Sequence, residues 1–189
     1  MSGFAYDIEQ CLATLQQGGI ILYPTDTVWG IGCDATNAVA VEKIIRLKQR
    51  PQEKSFVVLV SSEEEIKQYV PQVDATVFNY LHSVTKPSTV IYPNVQHIAN
   101  NVLAGDGSVA IRICNEPFCK ELIERFGNPI VSTSANISGV AAPSIFPEID
   151  MVIKHGVDYV VKYRQKDYHK AQPSSIILWK QGIVQVIRP

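Results

Sequence analysis

Short, unbroken apolar runs alternate in this chain with stretches whose apolar residues recur at helical spacing. That alternation restricts the fold more than any other feature. Residues 19–23 and 56–60 hold no charged side chain and carry apolar groups throughout. A strand wetted on one side alternates apolar and polar residues, so unbroken runs read as strands covered on both faces. Residues 89–92, 109–113 and 129–131 read as further strands, and so do 159–161, 175–178 and 183–187 near the C-terminus. Between them, residues 7–17 place Ile8, Cys11, Leu12 and Leu15 at i, i+3, i+4 and i+7 and stop at Gly18-Gly19. Residues 38–48 read as a helix capped by Thr36 or Asn37 and ended by Pro51. Ser61 to Glu65 opens another helix with capping hydroxyls and carboxylates. Helices are also predicted over 74–82, over 117–126 with Gly127 as the stop, and over 147–155. The fold class that follows is α/β, with a largely buried mixed sheet and helices against its faces. No internal repeat or long linker divides the 189 residues, and a single domain over 1–189 is expected.

A chain of this length buries most of its apolar surface without disulfides. The four cysteines, at 11, 33, 114 and 119, form no C-x-x-C pair, and the histidines at 82, 97, 155 and 169 stand at no metal-ligand spacing to them. No protein metal site is therefore predicted. No run approaches the roughly 20 apolar residues that span a bilayer. The first residues lack the basic and apolar regions of a signal peptide, so a cytoplasmic location and no membrane partner are expected. A net charge of −1 argues against a general nucleic-acid binder. Lys43, Arg46, Lys48, Arg50 and Lys54 nevertheless crowd into one short stretch. They fit either a solvated helix face with a basic last turn or a set of ligand-binding cations.

In open α/β sheets, sites collect where strands end. Two polar segments follow short apolar strands here, 24–32 and 132–139. The first, within "YPTDTVWGIG", runs through two threonines and an aspartate to two glycines. The second packs hydroxyls and an amide that suit either a ligand against backbone N–H groups or a plain turn and helix cap. Lys48 stands seven residues after Val41, on the same stripe as Val41 and Ile44. There it snorkels, pairs or faces a cleft. Arg50 precedes Pro51, which turns it off the helix path. The two cations then either converge on a phosphate or carboxylate or sit apart at the surface. Arg112 interrupts the apolar Val109 to Ile113 run, which is costly unless it reaches a partner, a cleft or water. Arg188 raises the same question. No phosphate-binding G-x-x-x-x-G-K-[ST] or G-x-G-x-x-G motif occurs, and no G-x-S-x-G elbow.

The segments "GGIILYPTDTVWGIGCDA", "IIRLKQRPQEKSFVVLV", "VAIRI", "IVSTSANISG" and "VIRP" occur in one order at fitting intervals. Together they closely resemble the YrdC/YwlC family, the threonylcarbamoyl-adenylate synthases, from about Cys11 to Pro189. The resemblance implies a twisted open sheet with a large concave cleft, in the single-domain form. It implies joining of L-threonine, bicarbonate or CO2 and ATP into L-threonylcarbamoyl-adenylate and pyrophosphate. A tRNA-modifying complex then passes the threonylcarbamoyl group to adenosine 37 of tRNA. By this resemblance Lys48, Arg50, Ser134 and Asn136 are the catalytic set. Thr25, Val57, Arg112, Ser132 and Ser174 bind L-threonine. Lys48, Gln52, Ser108, Ser134, Ala142 and Arg188 bind ATP, and Mg2+ arrives with the nucleotide rather than in a protein cage. One segment departs. The family's Trp-Pro-Gly-Pro-x-Thr reads here Val84-Thr85-Lys86-Pro87-Ser88-Thr89, which puts the local cleft wall in question. Trp29 stands where the family commonly has tyrosine or phenylalanine. The competing class is a tRNA- or double-stranded-RNA-binding module, or a YciO-like protein that keeps the fold without this reaction. The paired Lys48-Gln49-Arg50 and Ser134-Ala135-Asn136 argue against the latter.

Overall fold

A computed structural model describes residues 3–51, 56–180 and 182–189. The helices are α1 (Ala5–Gln16), α2 (Ala38–Lys48), α3 (Glu63–Tyr69), α4 (Thr76–Ser83), α5 (Pro117–Phe126) and α6 (Met151–Gly156). The strands are β1 (Ile21–Tyr23), β2 (Gly30–Asp34), β3 (Val57–Val60), β4 (Ser88–Tyr92), β5 (Val109–Ile113), β6 (Ile130–Ser134), β7 (Tyr159–Val160), β8 (Ser175–Lys180) and β9 (Ile183–Arg188). These strands form one mixed sheet in the order β7-β1-β2-β6-β3-β5-β4-β8-β9. Three of its pairings, β1–β7, β3–β5 and β4–β8, are parallel and the others antiparallel. Among the described residues, no helix is long and apolar enough to cross a membrane.

Directly opposed residues of neighbouring strands share a face of the sheet. The register runs Gly30 to Ser134, Gly32 to Ser132, Ser132 to Val57 and Val57 to Ala110. It continues Leu59 to Arg112, Ala110 to Ile91, Thr89 to Ile176 and Ile176 to Arg188. One face therefore gathers Gly30, Ser132, Ser134, Val57, Arg112 and Arg188 from five strands. On that same face Leu59 and Ile130 are fully buried, so part of it is covered and part is left open. The opposite face presents Ile31, Cys33, Val58, Val131 and Val90, all fully buried. The core lies on both faces, as the unbroken apolar runs require.

Local chemistry explains the helix ends. Asn37 caps α2, its Oδ1 accepting from the N–H groups of Val39 at 3.0 Å and Ala40 at 3.2 Å. Ser62 accepts from the Glu65 N–H at 3.2 Å, while Glu65 Oε2 accepts from the Ser61 N–H at 2.8 Å, a reciprocal cap. The end of α2 differs from expectation. Gln49, at φ 50°, turns the chain before Pro51, and the Arg50 N–H closes back on the Ile45 carbonyl at 3.0 Å.

Three further expectations are corrected. Residues 24–32 are not one loop, because their last three belong to β2, which pairs with β1. Its glycines hide the strand pattern, yet Gly32 packs so closely under the Tyr23 ring that an added Cβ would lie 2.6 Å from Tyr23 Cε1. Ser132 and Ser134 sit within β6 rather than in a loop after it. Helix α6 starts at Met151, capped by Asp150, and Phe146–Glu148 is a separate 3-10 turn.

Candidate functional site

The open part of the shared face is the floor of a cleft of about 280 Å3. Strands supply the floor: Gly30 from β2, Ser132 and Ser134 from β6, Val57 from β3, and Arg112 from β5. The rim comes from Thr27 and Trp29 of the β1–β2 turn, Arg50 beyond α2, Ala142, Ser174, and Arg188 at the end of β9. Three guanidinium groups thus face one space.

Arg112 is 5% exposed, in the middle of the sheet rather than at a wet edge. Its Nη2 lies 2.9 Å from Asp26 Oδ1 and donates to Thr27 Oγ1 at 3.3 Å. The Asp26 contact is an ion pair without hydrogen-bond alignment, and the buried Arg112 Nε has no partner. The same residue lines the cleft, where its charge suits an anionic or carbonyl ligand. Arg188 donates to the Ser174 carbonyl through Nε at 3.1 Å and Nη2 at 2.8 Å. Burial and the nearby Arg112 charge lower its pKa. Ser174 is anchored in turn by Thr89, hydroxyl to hydroxyl at 2.8 Å. The Arg50 guanidinium lies 4.5 Å over the Phe56 ring, and burial lowers its pKa as well. Cations whose charge is disfavoured by their surroundings gain most from a polyanion.

Lys48 is 1% exposed and does not line the cleft. Its ammonium reaches past the strand end and donates to the Ser134 and Asn136 carbonyls. Its own carbonyl accepts from the Ser138 N–H at 2.9 Å. Burial first, and the Arg50 charge second, push its pKa down to about 7. Lys48 therefore holds the 134–138 turn from below.

Thr25 is buried, not in the cleft. Its hydroxyl accepts from the Thr27 N–H at 3.0 Å and donates to the Val28 carbonyl at 2.8 Å, which shapes the turn and leaves Thr27 to face the cleft. Asn136 and Ser108 also lie off the cleft lining. The Asn136 amide donates to the carbonyls of Ile137 and Val140, and its Oδ1 is buried without a partner. Ser108 donates to Asp106 Oδ1 at 2.7 Å. Gln52 lies outside the described residues.

Sequence reasoning missed Asp26 and Thr27 as the partners of Arg112. The available signal was Arg112 itself, since an arginine inside an apolar strand needs a carboxylate or hydroxyl nearby. The basic run does not form one surface. Lys43 donates to the Gly18 carbonyl at 2.8 Å, Arg46 pairs with Glu42 at 2.9 Å, and Lys48 is buried. Lys54 lies outside the described residues. The departing segment 84–86 does not wall this cleft. It lines a larger cavity of about 690 Å3 beyond the Asp26–Arg112 pair, where Glu63, Glu64 and Glu116 give an acidic lining. The smaller cleft has the convergent donors, and it is the better anion site. Among the described residues no group of three His, Cys, Asp or Glu side chains could hold a metal.

Comparison with known proteins gives consistent results. The family model Sua5/YciO/YrdC, described as "Telomere recombination", matches residues 13–189. A Saccharophagus degradans protein named threonylcarbamoyl-AMP synthase is 41% identical over 136 residues, 71% of either chain. A Vibrio parahaemolyticus protein of the same name is 34% identical over 90% of this chain and 92% of its own. The solved structure of P. abyssi Sua5 complexed with L-threonine superposes with a TM-score of 0.85 at 21% identity. It is matched over 97% of this chain, which spans about half (54%) of that longer protein.

Proposed function

The chain belongs to the Sua5/YciO/YrdC family, and from that premise we propose that it is an L-threonylcarbamoyl-AMP synthase, a nucleotidyltransferase acting in tRNA modification. The observation that carries the reading is the convergence of Arg50, Arg112 and Arg188 with Ser132 and Ser134 on one cleft. The likeness to relatives of that name supports it.

The reaction needs no protein nucleophile. The L-threonine amine attacks CO2 and loses a proton, giving a carbamate. A carbamate oxygen attacks the α-phosphorus of ATP, the bond to the β-phosphate oxygen breaks, and pyrophosphate leaves. Positioning and charge neutralisation supply the rate. Arg112 receives the amino-acid carboxylate where its guanidinium lines the cleft, with Thr27 beside it and Val57 beneath. Ser132 and Ser134 line the seam between amino acid and nucleotide. Arg50 and Arg188 hold the polyphosphate, and Lys48 fixes the 134–138 turn against which the phosphates lie. Asn136 shapes that turn from within. Mg2+ would come bound to ATP as part of the substrate and would share the triphosphate charge with Arg50 and Arg188. The product is an activated acyl-adenylate, handed to a tRNA-modifying complex.

Incubation with L-threonine, ATP and 13C-bicarbonate tests the reading. The expected adduct carries AMP and threonine and gains one mass unit from the label. An unlabelled adduct, or none, overturns it.

A further inference from the structure

Arg164, in the segment between β7 and β8, is a cation that the cleft does not use. It sits at φ 64°. A non-glycine residue holds this left-handed conformation only where its surroundings over-determine it. Here they do. Arg164 Nη1 donates to the Thr25 carbonyl at 2.9 Å and lies 3.7 Å from Glu116 Oε1. Arg164 Nε and Nη2 both stand 3.1 Å from Asp167 Oδ2. Glu116 caps α5 through the Cys119 N–H at 2.8 Å, and Asp167 Oδ1 accepts from the His169 N–H at 3.1 Å. One guanidinium thus ties the turn after β1, the start of α5 and the 164–169 segment together.

The segment is fixed behind Arg164 as well. Buried Asp7 accepts from the N–H groups of Lys162 at 3.1 Å and Tyr163 at 2.9 Å, and from the Tyr159 hydroxyl. The Tyr163 ring packs against Phe4 at 4.9 Å and Phe118 at 5.9 Å. In front of Arg164 a chain of polar contacts runs into the cleft. The Thr25 carbonyl accepts a hydrogen bond from the guanidinium, and the Thr25 hydroxyl shapes the turn through the Thr27 N–H and Val28 carbonyl. Thr27 Oγ1 then accepts from Arg112 Nη2 at 3.3 Å. Arg164 itself lies behind the turn, beside Thr25, Trp29 and His169, and not on the cleft.

We propose that Arg164 is a positioning residue for amino-acid recognition: it clamps the 24–28 turn so that Thr27 and Arg112 present one fixed geometry to the L-threonine carboxylate. The inference rests on the synthase reading for its substrate and on the contacts above for its mechanism. Arg164→Asn accepts the left-handed backbone but removes the clamp. A hydrogen bond to a charged group is worth enough to shift binding by about tenfold or more. The expected result is a rise of that order in KM for L-threonine, with kcat and KM for ATP within about twofold of wild type. Arg164→Lys recovers part of the loss, and Asp167→Asn moves the same parameter less. An unchanged KM for L-threonine, or an equal rise for both substrates, overturns the proposal. Hydrogen exchange gives a readout that does not depend on activity. Amides of residues 25–29 are expected to exchange faster in Arg164→Asn than in wild type, with β6 unaffected. Unchanged exchange there overturns the clamp. If wild type turns out to lack L-threonine-dependent turnover, the synthase reading fails, and the exchange result alone decides whether Arg164 holds the turn.

Discussion

Gly30 and Gly32 stand two apart on β2 and point to the same face, yet alanine is expected to do different harm at each. A Cβ on Gly32 would lie 2.6 Å from Tyr23 Cε1 and 2.7 Å from the Val131 carbonyl oxygen. The second contact is backbone of the paired strand and cannot rotate away. Overpacking of this kind costs about 1–3 kcal/mol. For a domain of this size each kcal/mol lowers Tm by about 2–4 °C, so Gly32→Ala is expected to melt about 2–12 °C below wild type. A Cβ on Gly30 would meet Ser132 Oγ at 2.9 Å, with the next contacts at 3.5 Å or beyond. That oxygen is the end of a side chain and can turn aside. Alanine also restricts the unfolded chain, which returns about 0.4–1 kcal/mol. Gly30→Ala should therefore melt within about 3 °C of wild type. Its methyl group stands on the cleft floor beside Ser132, where it obstructs the substrate. KM for L-threonine is expected to rise at least about tenfold, the equivalent of 1.4 kcal/mol. Thermal melts and steady-state kinetics on both variants separate the two effects. Equal melting temperatures, or a Gly30→Ala enzyme with wild-type KM for L-threonine, would refute the register and the cleft placement together.

Three other outcomes follow from named contacts. Asp7→Ala strips the acceptor from the Tyr159 hydroxyl and two backbone N–H groups. A group left unpaired costs up to about 1–3 kcal/mol, but Lys162 is exposed and Tyr159 and Tyr163 are only partly buried, so water offsets part of it and a loss of roughly 2–4 kcal/mol is expected in urea denaturation; a loss under 0.5 would count against it. Lys48, with its pKa near 7, is largely neutral at pH 8 and regains a proton when a polyphosphate approaches. ATP binding at pH 8 should thus take up protons, seen as a heat that varies with buffer ionisation enthalpy and disappears in Lys48→Met. The same shift has a stability sign. Between pH 7 and 10.5 the unfolded chain keeps a proton that the folded chain has lost, so this group makes stability rise with pH across that window. Arg112→Lys keeps the charge but loses the forked donors, and KM for L-threonine is expected to rise about tenfold or more while the melting temperature changes little.

Much of the fold was legible because burial on both faces writes an unbroken apolar run, as in Val57 to Val60 and Val109 to Ile113. Strand β2 was not legible. Gly32 is there for close approach under Tyr23 and Gly30 lies against Ser132 on the cleft floor, tertiary demands that remove the side chains a strand pattern is read from. The site was legible where chemistry contradicted location, as with Lys48 on an apolar stripe and Arg112 in an apolar strand. Both proved buried, Arg112 on the cleft and Lys48 paired with two carbonyls beside it. Motif position could not tell which hydroxyl of Pro-Thr-Asp-Thr builds the turn and which faces the ligand. That depends on the turn's own hydrogen bonds, in which Thr25 is consumed and Thr27 is left to Arg112. The role of Arg164 is carried by contacts across more than a hundred residues of sequence, from Thr25 through Glu116 to Asp167, and no local pattern announces it.

The most direct test of the central claim is pyrophosphate release from ATP by the purified protein, with L-threonine and bicarbonate each supplied or withheld. The account predicts release only when both are present. Release without L-threonine, or none from a folded sample given all three, would contradict it.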